Sequence, residues 1–210
     1  PGGRSYNDPA TESFDAKMIQ RSDVRHMAFA EQYRIRLLET LDGIPLDKVE
    51  EAIRMLARAR DEGRSIFVCG NGGSAATASH FVCDMVKGAS YGRDKRFRIQ
   101  ALCDALPTIT AYSNDVGYDH VFVEQLKNFA RPADVLIAIS GSGNSPNVLR
   151  AVEYANSIGC YTIALSGRDG GQLAPLAGLS IRVPEPHMGR IEDAHLAVCH
   201  MIGYYFMETG

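Results

Sequence analysis

The sequence has 210 residues, of which 45% are hydrophobic and 22% are charged. This length and balance predict one domain with a sizeable buried core. The formal net charge of −3 leaves no basic excess for binding a nucleic-acid backbone. No apolar run approaches the roughly 20 residues that a membrane span requires. We therefore expect neither nucleic acid nor a membrane among the partners.

The five cysteines are odd in number and include no CxxC pair. Neither a disulfide framework nor a zinc–thiolate site is therefore indicated. No secretory signal is visible, and a reducing cytoplasm is the location we expect.

The chain opens on a polar stretch with glycine and proline, PGGRSYNDPATESF. We expect residues 1–21 to be a mobile tail or, in part, a cloning remnant, and residues 22–210 to form one domain. Apolar residues at helical spacing predict a first helix from about 22 to 43, and residues 45–63 predict a second, with Asp47 as N-cap and Gly63 as its stop. Because both helices precede any strand, they predict an N-terminal helical arm.

The pattern then changes to short, β-branched and nearly continuous apolar runs, which are typical of strands covered on both faces. Helical patterns separate several of them, at 75–87, at roughly 119–130 and at 145–158, and a last helix follows at 191–208. This alternation predicts an α/β fold with a doubly wound, five-stranded parallel sheet flanked by helices. The five predicted strands read SIFVCG, FRIQAL, DVLIAIS, YTIALSG and LSIRVP.

Two of the predicted strands end in polar, glycine-rich loops, GNGGS at 70–74 and SGSGNS at 140–145. Ligands of open α/β sheets bind beyond the carboxyl ends of the strands. Glycines let backbone N–H groups approach an anion, and the helix that follows each loop adds partial positive charge. Together with the serine hydroxyls, these loops predict a cradle for a phosphate monoester.

Two other interpretations of these loops stay open. Glycine and serine make turns without any ligand, although two such loops in one sheet make that interpretation weaker. The first loop also satisfies the dinucleotide pattern G-x-G-x-x-A through Gly70, Gly72 and Ala75. The acid that would bind the ribose, Asp104, follows later than the usual spacing of about 20 residues, and the serine loop has no part in that scheme.

With both loops considered, the chain resembles the sugar isomerase (SIS) domain, and within it the sedoheptulose-7-phosphate isomerases, also called phosphoheptose isomerases. The resemblance runs from about residue 25 to 207. It implies an SIS fold, interconversion of sedoheptulose 7-phosphate and a heptose 7-phosphate, a cytoplasmic homotetramer, and one zinc ion per subunit. It is carried by CGNGGSAATASHF, SNDVGYDHVF, ISGSGNSPNVLRAVEYA, GRDGGQLA and GRIEDAHLAVCH.

The resemblance also implies which residues contact the substrate. Gly141 stands where a threonine is common in the family. The implied substrate contacts are Asn71, Gly72, Gly73, Ser74, Asn114, Asp115, Ser140, Gly141, Ser142, Ser145 and Glu192.

The implied metal ligands are His80, Asp84, Glu192 and His200, where the family has glutamate at position 84 and glutamine at 192. His80 and Asp84 are four residues apart, on one helical face, and Glu192 and His200 are eight apart, about two turns. Zinc accepts both nitrogen and carboxylate oxygen, and the added carboxylate would tolerate other divalent metals. Without the resemblance, His80 and Asp84 would be an ordinary helix ion pair. We interpret His195, which lies between the last two ligands, as a packed core histidine.

By the same resemblance, Asp84 is the carboxylate base of an enediol mechanism, His200 is the partner acid and zinc polarises the substrate oxygens. The shorter Asp84 leaves three possibilities open: the backbone compensates, Glu192 shares the role, or the substrate is another sugar phosphate. The alternative function is a non-catalytic phosphosugar-binding or regulatory protein that acts through a protein partner.

Overall fold

A computed structural model describes residues 28–209 of the chain. The predicted tail at 1–21 and the start of the first predicted helix lie outside the described residues. The chain divides into two compact units, Pro1–Ile35 and Arg36–Gly210. Of the first unit, the structure describes the beginning of helix α1 (Phe29–Asp42), in which the rings of Phe29 and Tyr33 lie 6.2 Å apart. Everything that follows concerns the second unit.

Helix α2 (Leu46–Asp61) forms because an apolar residue recurs every three or four positions, which gives the helix one buried face. Its N-cap is Pro45, which makes no side-chain cap hydrogen bond, and Asp47 lies in the first turn. The prediction that Asp47 caps the helix was therefore wrong, although an acidic residue in the first turn still suits the helix dipole. The predicted stop is confirmed, because Gly63 follows the helix with a φ of +66°.

The five predicted strands pair in parallel, in the order β2-β1-β3-β4-β5. The predicted fold, a five-stranded parallel sheet flanked by helices, is confirmed. Strand β3 is buried at all six positions, as a strand covered on both faces must be. The strands are β1 (Ser65–Gly70), β2 (Arg98–Ala101), β3 (Val135–Ser140), β4 (Tyr161–Gly167) and β5 (Leu179–Val183).

The helices differ from the prediction at two places. Helix α4 was not predicted, because none of its residues is buried and it therefore has no apolar periodicity. The helix predicted at 119–130 divides into a 3₁₀ turn (Tyr118–His120) and α5. The remaining helices are α3 (Gly73–Cys83), α4 (Leu106–Asp115), α5 (Val123–Phe129), α6 (Pro146–Ser157), α7 (Leu173–Leu176) and α8 (Met188–Thr209).

Two hydrophobic cores lie on the two faces of the sheet. One joins the sheet to α2, α3 and α8 and includes Leu56, Phe81 and Phe206. The other joins it to α5 and α6 and includes Leu126 and Val148. Neighbouring residues of each central strand point to opposite cores, because strand side chains alternate between faces. Among residues 28–209, no helix has the length and apolar character needed to cross a membrane.

The strand order reverses its direction at β1, because the chain moves from β1 to the edge strand β2 and then returns to β3 on the other side of β1. Strands β1 and β3 are direct neighbours, and Gly70 pairs with Ile139 near their carboxyl ends. Crevices at such a reversal are the usual ligand sites of open α/β sheets. The fold therefore brings the two predicted phosphate loops together.

Candidate functional site

The first loop leads from β1 into α3 and packs tightly against α8. A β-carbon added at Gly73 would collide with the carboxylate of Glu192 on α8. A larger residue at position 73 would therefore have to displace the end of the Glu192 side chain. The Glu192 side chain is partly buried beside this loop, where the positive end of the α3 dipole favours a carboxylate.

The second loop gathers three serine hydroxyls at the carboxyl end of β3. The Oγ of Ser140 lies 3.5 Å from that of Ser142 and 3.2 Å from that of Ser145. Ser145 is the N-cap residue of α6 but makes no side-chain cap hydrogen bond. Since its hydroxyl contacts Ser140 and does not cap the helix, it can turn toward an anion at the start of α6.

A third loop, which follows β4, packs against the second one. A β-carbon at Gly143, whose φ is +66°, would lie 2.1 Å from the carbonyl oxygen of Gly170. The backbone N–H of Leu173 donates to the carbonyl of Gly143 at 2.9 Å, and that of Gln172 donates to Asn144 Oδ1 at 3.1 Å. The GRDGGQLA segment thus holds the conformation of the serine loop through these backbone contacts.

An amide pair joins the first two loops directly. Asn71 and Asn147 exchange two hydrogen bonds, each 2.9 Å long, through their side-chain amides. The Tyr118 hydroxyl donates to the same Asn71 oxygen at 2.8 Å. Asn147 is 1% exposed, so the pair is largely shielded from water. Sequence reasoning missed Asn147 and Tyr118, since their pairing depends on residues 47 and 76 positions apart.

The substitution of glycine for the family's common threonine at position 141 has a steric counterpart in the structure. A β-carbon at Gly141 would lie 2.6 Å from the sulfur of Met188, the first residue of α8. The methionine side chain therefore occupies the space that a larger residue at position 141 would need.

The predicted metal-ligating residues His80, Asp84 and His200 form one cluster. The Nε2 atoms of the two histidines are 3.2 Å apart, and they lie 3.4 Å and 3.7 Å from Asp84 Oδ2. That oxygen is buried and accepts no hydrogen bond. Among residues 28–209 this is the group whose His, Cys, Asp or Glu atoms converge closely enough to hold a metal ion.

Helix packing produces the cluster. Helix α3 carries His80 and continues at Asp84 into a π turn (Asp84–Gly88), in which the N–H of Ala89 donates to the Asp84 carbonyl at 2.9 Å. Helix α8 carries His200, whose ring lies 5.0 Å from that of His80 at an angle of 66°. Single π turns inside helices are common at functional sites, and this one places the Asp84 carboxylate against both imidazoles.

The other two polar residues that the sequence singled out on α8 lie apart from this cluster. Glu192 is beside Gly73 and is not part of the convergent group. His195 is fully buried, in agreement with its interpretation as a core residue. Burial lowers the pKa of His195 to about 4, while the backbone of Ser166 opposes the shift. His195 is therefore neutral at physiological pH.

The remaining predicted residues lie at the end of α4. Asn114 donates a hydrogen bond to Asp115 at 2.7 Å, and both side chains are exposed. They precede by a few residues Tyr118, which contacts the first loop. Asp104, weighed as the ribose-binding acid of a dinucleotide site, accepts a hydrogen bond from the Ser79 hydroxyl.

Helix α3 connects the two halves of the site. Ser74 lies in its first turn and His80 lies six residues later, a distance of about 9 Å along the helix axis. A ligand whose phosphate binds in the loops can therefore present its far end to the histidine cluster. The arrangement therefore places two loops rich in glycine and serine at one end of α3 and a His–Asp–His cluster at the other.

The amide pair yields a test. Replacing Asn147→Ala removes the two amide hydrogen bonds to Asn71 and the one that Asn147 Oδ1 accepts from the N–H of Val148. This should lower the unfolding free energy by about 1–3 kcal/mol and weaken binding of inorganic phosphate. Asn156→Ala is the control, because it removes side-chain hydrogen bonds of another asparagine, to Leu176 and Thr162, away from the loops. Calorimetry should show weakened phosphate binding in the first variant alone. Equal phosphate affinity in both variants would contradict the linking role.

Comparisons with known proteins agree with this architecture. The model of the SIS domain family matches residues 29–167. A phosphoheptose isomerase of Citrifermentans bemidjiense is 41% identical over 170 residues, which cover 79% of this chain and 86% of the relative.

Two solved phosphoheptose isomerases are similar in structure. That of Neisseria gonorrhoeae is 35% identical with a TM-score of 0.76 and covers 85% of this chain and 94% of its own. That of Francisella tularensis is 27% identical with a TM-score of 0.78 and covers 87% of this chain and 100% of its own. On its sequence, sheet order and loops, the chain belongs to the SIS domain family and, within it, to the phosphoheptose isomerases.

Proposed function

We propose that the protein is an aldose–ketose isomerase of sugar phosphates, and that its substrate is sedoheptulose 7-phosphate, which it converts to a heptose 7-phosphate. One observation carries the proposal. The first loop opens α3 and is joined to the serine loop by the Asn71–Asn147 pair, and the His80–Asp84–His200 cluster lies at the other end of α3. A phosphate-anchored sugar needs both parts, the first for binding and the second for chemistry. Family membership supports the same reaction.

The loops bind the phosphate without any cationic side chain of their own. Ser142 and Ser145 donate hydroxyl hydrogen bonds, and the starts of α3 and α6 supply N–H groups and partial positive charge. Holding the phosphate fixes the position of the reacting carbons, which lowers the entropic part of the barrier. The implied contacts from Asn114 and Asp115 stay a prediction.

The His80–Asp84–His200 cluster fits a divalent metal, most simply one zinc ion per subunit. Asp84 Oδ2 is a buried acceptor without a hydrogen bond. Its distances to the two Nε2 atoms and the distance between those atoms are 3.2–3.7 Å, close to the roughly 3.3–3.6 Å between ligands of a tetrahedral zinc. When bound, the metal would polarise the carbonyl and hydroxyl oxygens of the sugar. Glu192 as a fourth ligand stays a prediction.

The residues themselves move the protons. Asp84 removes the proton from C1 of the ketose, which gives a cis-enediol, and returns it to C2 to form the aldose. His200 passes a proton between the two oxygens, so the reaction is neutral overall. Water must be excluded while the enediol exists, and burial of the Asp84 oxygen is consistent with a shielded position.

The rival function, a regulatory phosphosugar-binding protein, would need the phosphate loops but no proton-transferring cluster. The three convergent side chains of this chain favour the enzyme. All five cysteines are free thiols, which suits the cytoplasmic location that we propose.

The reaction can be tested directly with a panel of ketose and aldose phosphates. We expect turnover of sedoheptulose 7-phosphate, and we expect Ser142→Ala combined with Ser145→Ala to raise KM by about tenfold or more, because two hydrogen bonds to a charged group are lost. The melting temperature should change little. Binding of the sugar phosphates without turnover of any of them would favour the regulatory function.

The metal can be tested by elemental analysis and by substitution. We expect one divalent ion per chain, lost in His80→Ala and in His200→Ala together with about 10²-fold or more of the activity. His120→Ala is the control, because His120 lies on the 3₁₀ turn outside the cluster. Protein that contains no metal, and that zinc neither stabilises nor activates, would argue against a metalloenzyme.

We also propose that the chain assembles as a homotetramer. Large hydrophobic side chains are exposed on α8, on the π turn and just after that turn, and apolar patches of this kind mark protein interfaces. Light scattering should give about four times the chain mass of 22.9 kDa, and Tyr204→Ser combined with Tyr205→Ser should lower it. A wild-type mass near that of one chain would rule the assembly out. The exposed side chains are Val86, Tyr91, Met201, Tyr204 and Tyr205.

A further inference from the structure

A second cleft opens at the edge of the sheet opposite to the phosphate loops. It has a volume of about 580 Å³, within the range of roughly 300–1,000 Å³ that small-molecule sites occupy. It lies at the amino ends of β1, β2 and β3, about 16 Å along β1 from the first loop. Its lining is Glu62, Gly63, Arg64, Ser65, Phe67, Arg98, Ile99, Gln100, Asn128, Phe129, Arg131 and Asp134.

The cleft carries guanidinium groups that the protein does not neutralise. Arg98 and Arg131 form no ion pair with a carboxylate of residues 28–209, and the Arg98 side chain makes only a long hydrogen bond, 3.5 Å, to the carbonyl of Gly63. Arg64, in contrast, pairs with Glu62 at 3.3 Å, and the same carboxylate pairs with Arg58 at 2.6 Å. The guanidiniums of Arg98 and Arg131 are therefore available to an anion.

The one buried acid of the cleft is already satisfied. Asp134 is 5% exposed, and its two oxygens accept hydrogen bonds from the backbone N–H groups of Ser65 and Arg131, each 2.9 Å long. These bonds join the start of β1 to the chain before β3, and they spread the carboxylate charge over two fixed dipoles. The floor of the cleft is thus rigid, and its acid does not compete for the free arginines.

The remaining lining suits a planar polar ring. Phe129, the last residue of α5, is 57% exposed and offers a face on which a base can stack. Gln100 and Asn128 also line the cleft and are exposed. Asn128 Nδ2 donates to the Glu124 carbonyl at 3.1 Å, which leaves its side-chain oxygen and the Gln100 carboxamide to hydrogen-bond the edge of a heterocyclic base. Arginine, for its part, matches phosphate geometry with two parallel N–H donors.

We propose that this cleft is a binding site for a nucleotide, with the phosphates on Arg98 and Arg131 and the base on Phe129. The site is separate from the isomerase site and does not depend on the function proposed for it. Since the ends of β1 and β3 carry parts of both sites, a ligand here contacts the strands that position the phosphate loops.

Calorimetric titration of the full chain with ADP tests the proposal. The phosphate loops are a second place where ADP could bind, so the titration is repeated on Ser142→Ala combined with Ser145→Ala. We expect one ADP per chain in both proteins. Arg98→Gln combined with Arg131→Gln should weaken ADP binding at least about tenfold, whereas Arg54→Gln combined with Arg150→Gln, an equal loss of charge on exposed helix positions, should not.

Phe129→Ala separates the base from the phosphates. It should weaken ADP several-fold and leave pyrophosphate binding unchanged, since pyrophosphate has no ring to stack. The proposal fails if the wild type does not bind ADP at millimolar concentration. It also fails if the loop variant loses ADP binding while the Arg98 and Arg131 variant keeps it, or if Phe129→Ala binds ADP as the wild type does.

Discussion

The adjacency of β1 and β3 is the constraint on which the rest of the site depends. These strands lie far apart in sequence, but they pair directly, and each ends in a loop that opens a helix. The Asn71–Asn147 amide pair then holds the two loops at a fixed separation, in a setting where Asn147 is almost fully buried. An amide left unpaired there would carry its full desolvation cost, so the loops have one stable arrangement relative to each other.

Helix α3 connects the first loop, at its start, to the His–Asp–His cluster further along its length. Its first turn begins at Gly73, which lies beside the Glu192 carboxylate. Further along it presents His80, and its conversion to a π turn at Asp84 directs that carboxylate at the imidazoles. Aspartate is one methylene shorter than the glutamate common in the family, so the carboxylate reaches less far from the backbone. In this chain α3 and α8 pack closely enough to place the His80 and His200 rings 5.0 Å apart and Asp84 Oδ2 3.4 Å and 3.7 Å from their Nε2 atoms.

The two edges of the sheet differ in how they can bind an anion. At the carboxyl edge, hydroxyls and helix N-termini surround the loops, and the attraction comes from oriented dipoles. At the amino edge the helices present their negative ends, so a helix dipole cannot attract an anion there. Attraction at that edge requires the full charges of arginines, and Arg98 and Arg131 supply them.

The sequence by itself determined the sheet and the two loops, and its resemblance to the family indicated His80, Asp84 and His200, which the structure brings together. Strand runs and their alternation with helices are local patterns, and a loop between a strand and a helix can be recognised from its glycines. The sequence missed α4, which buries no residue and so has no periodic signal. Only the tertiary structure decided that Asn147 pairs with Asn71 and that Glu192 lies at Gly73, apart from the His–Asp–His cluster. These contacts depend on how α6 and α8 pack on the sheet, which no spacing along the chain encodes.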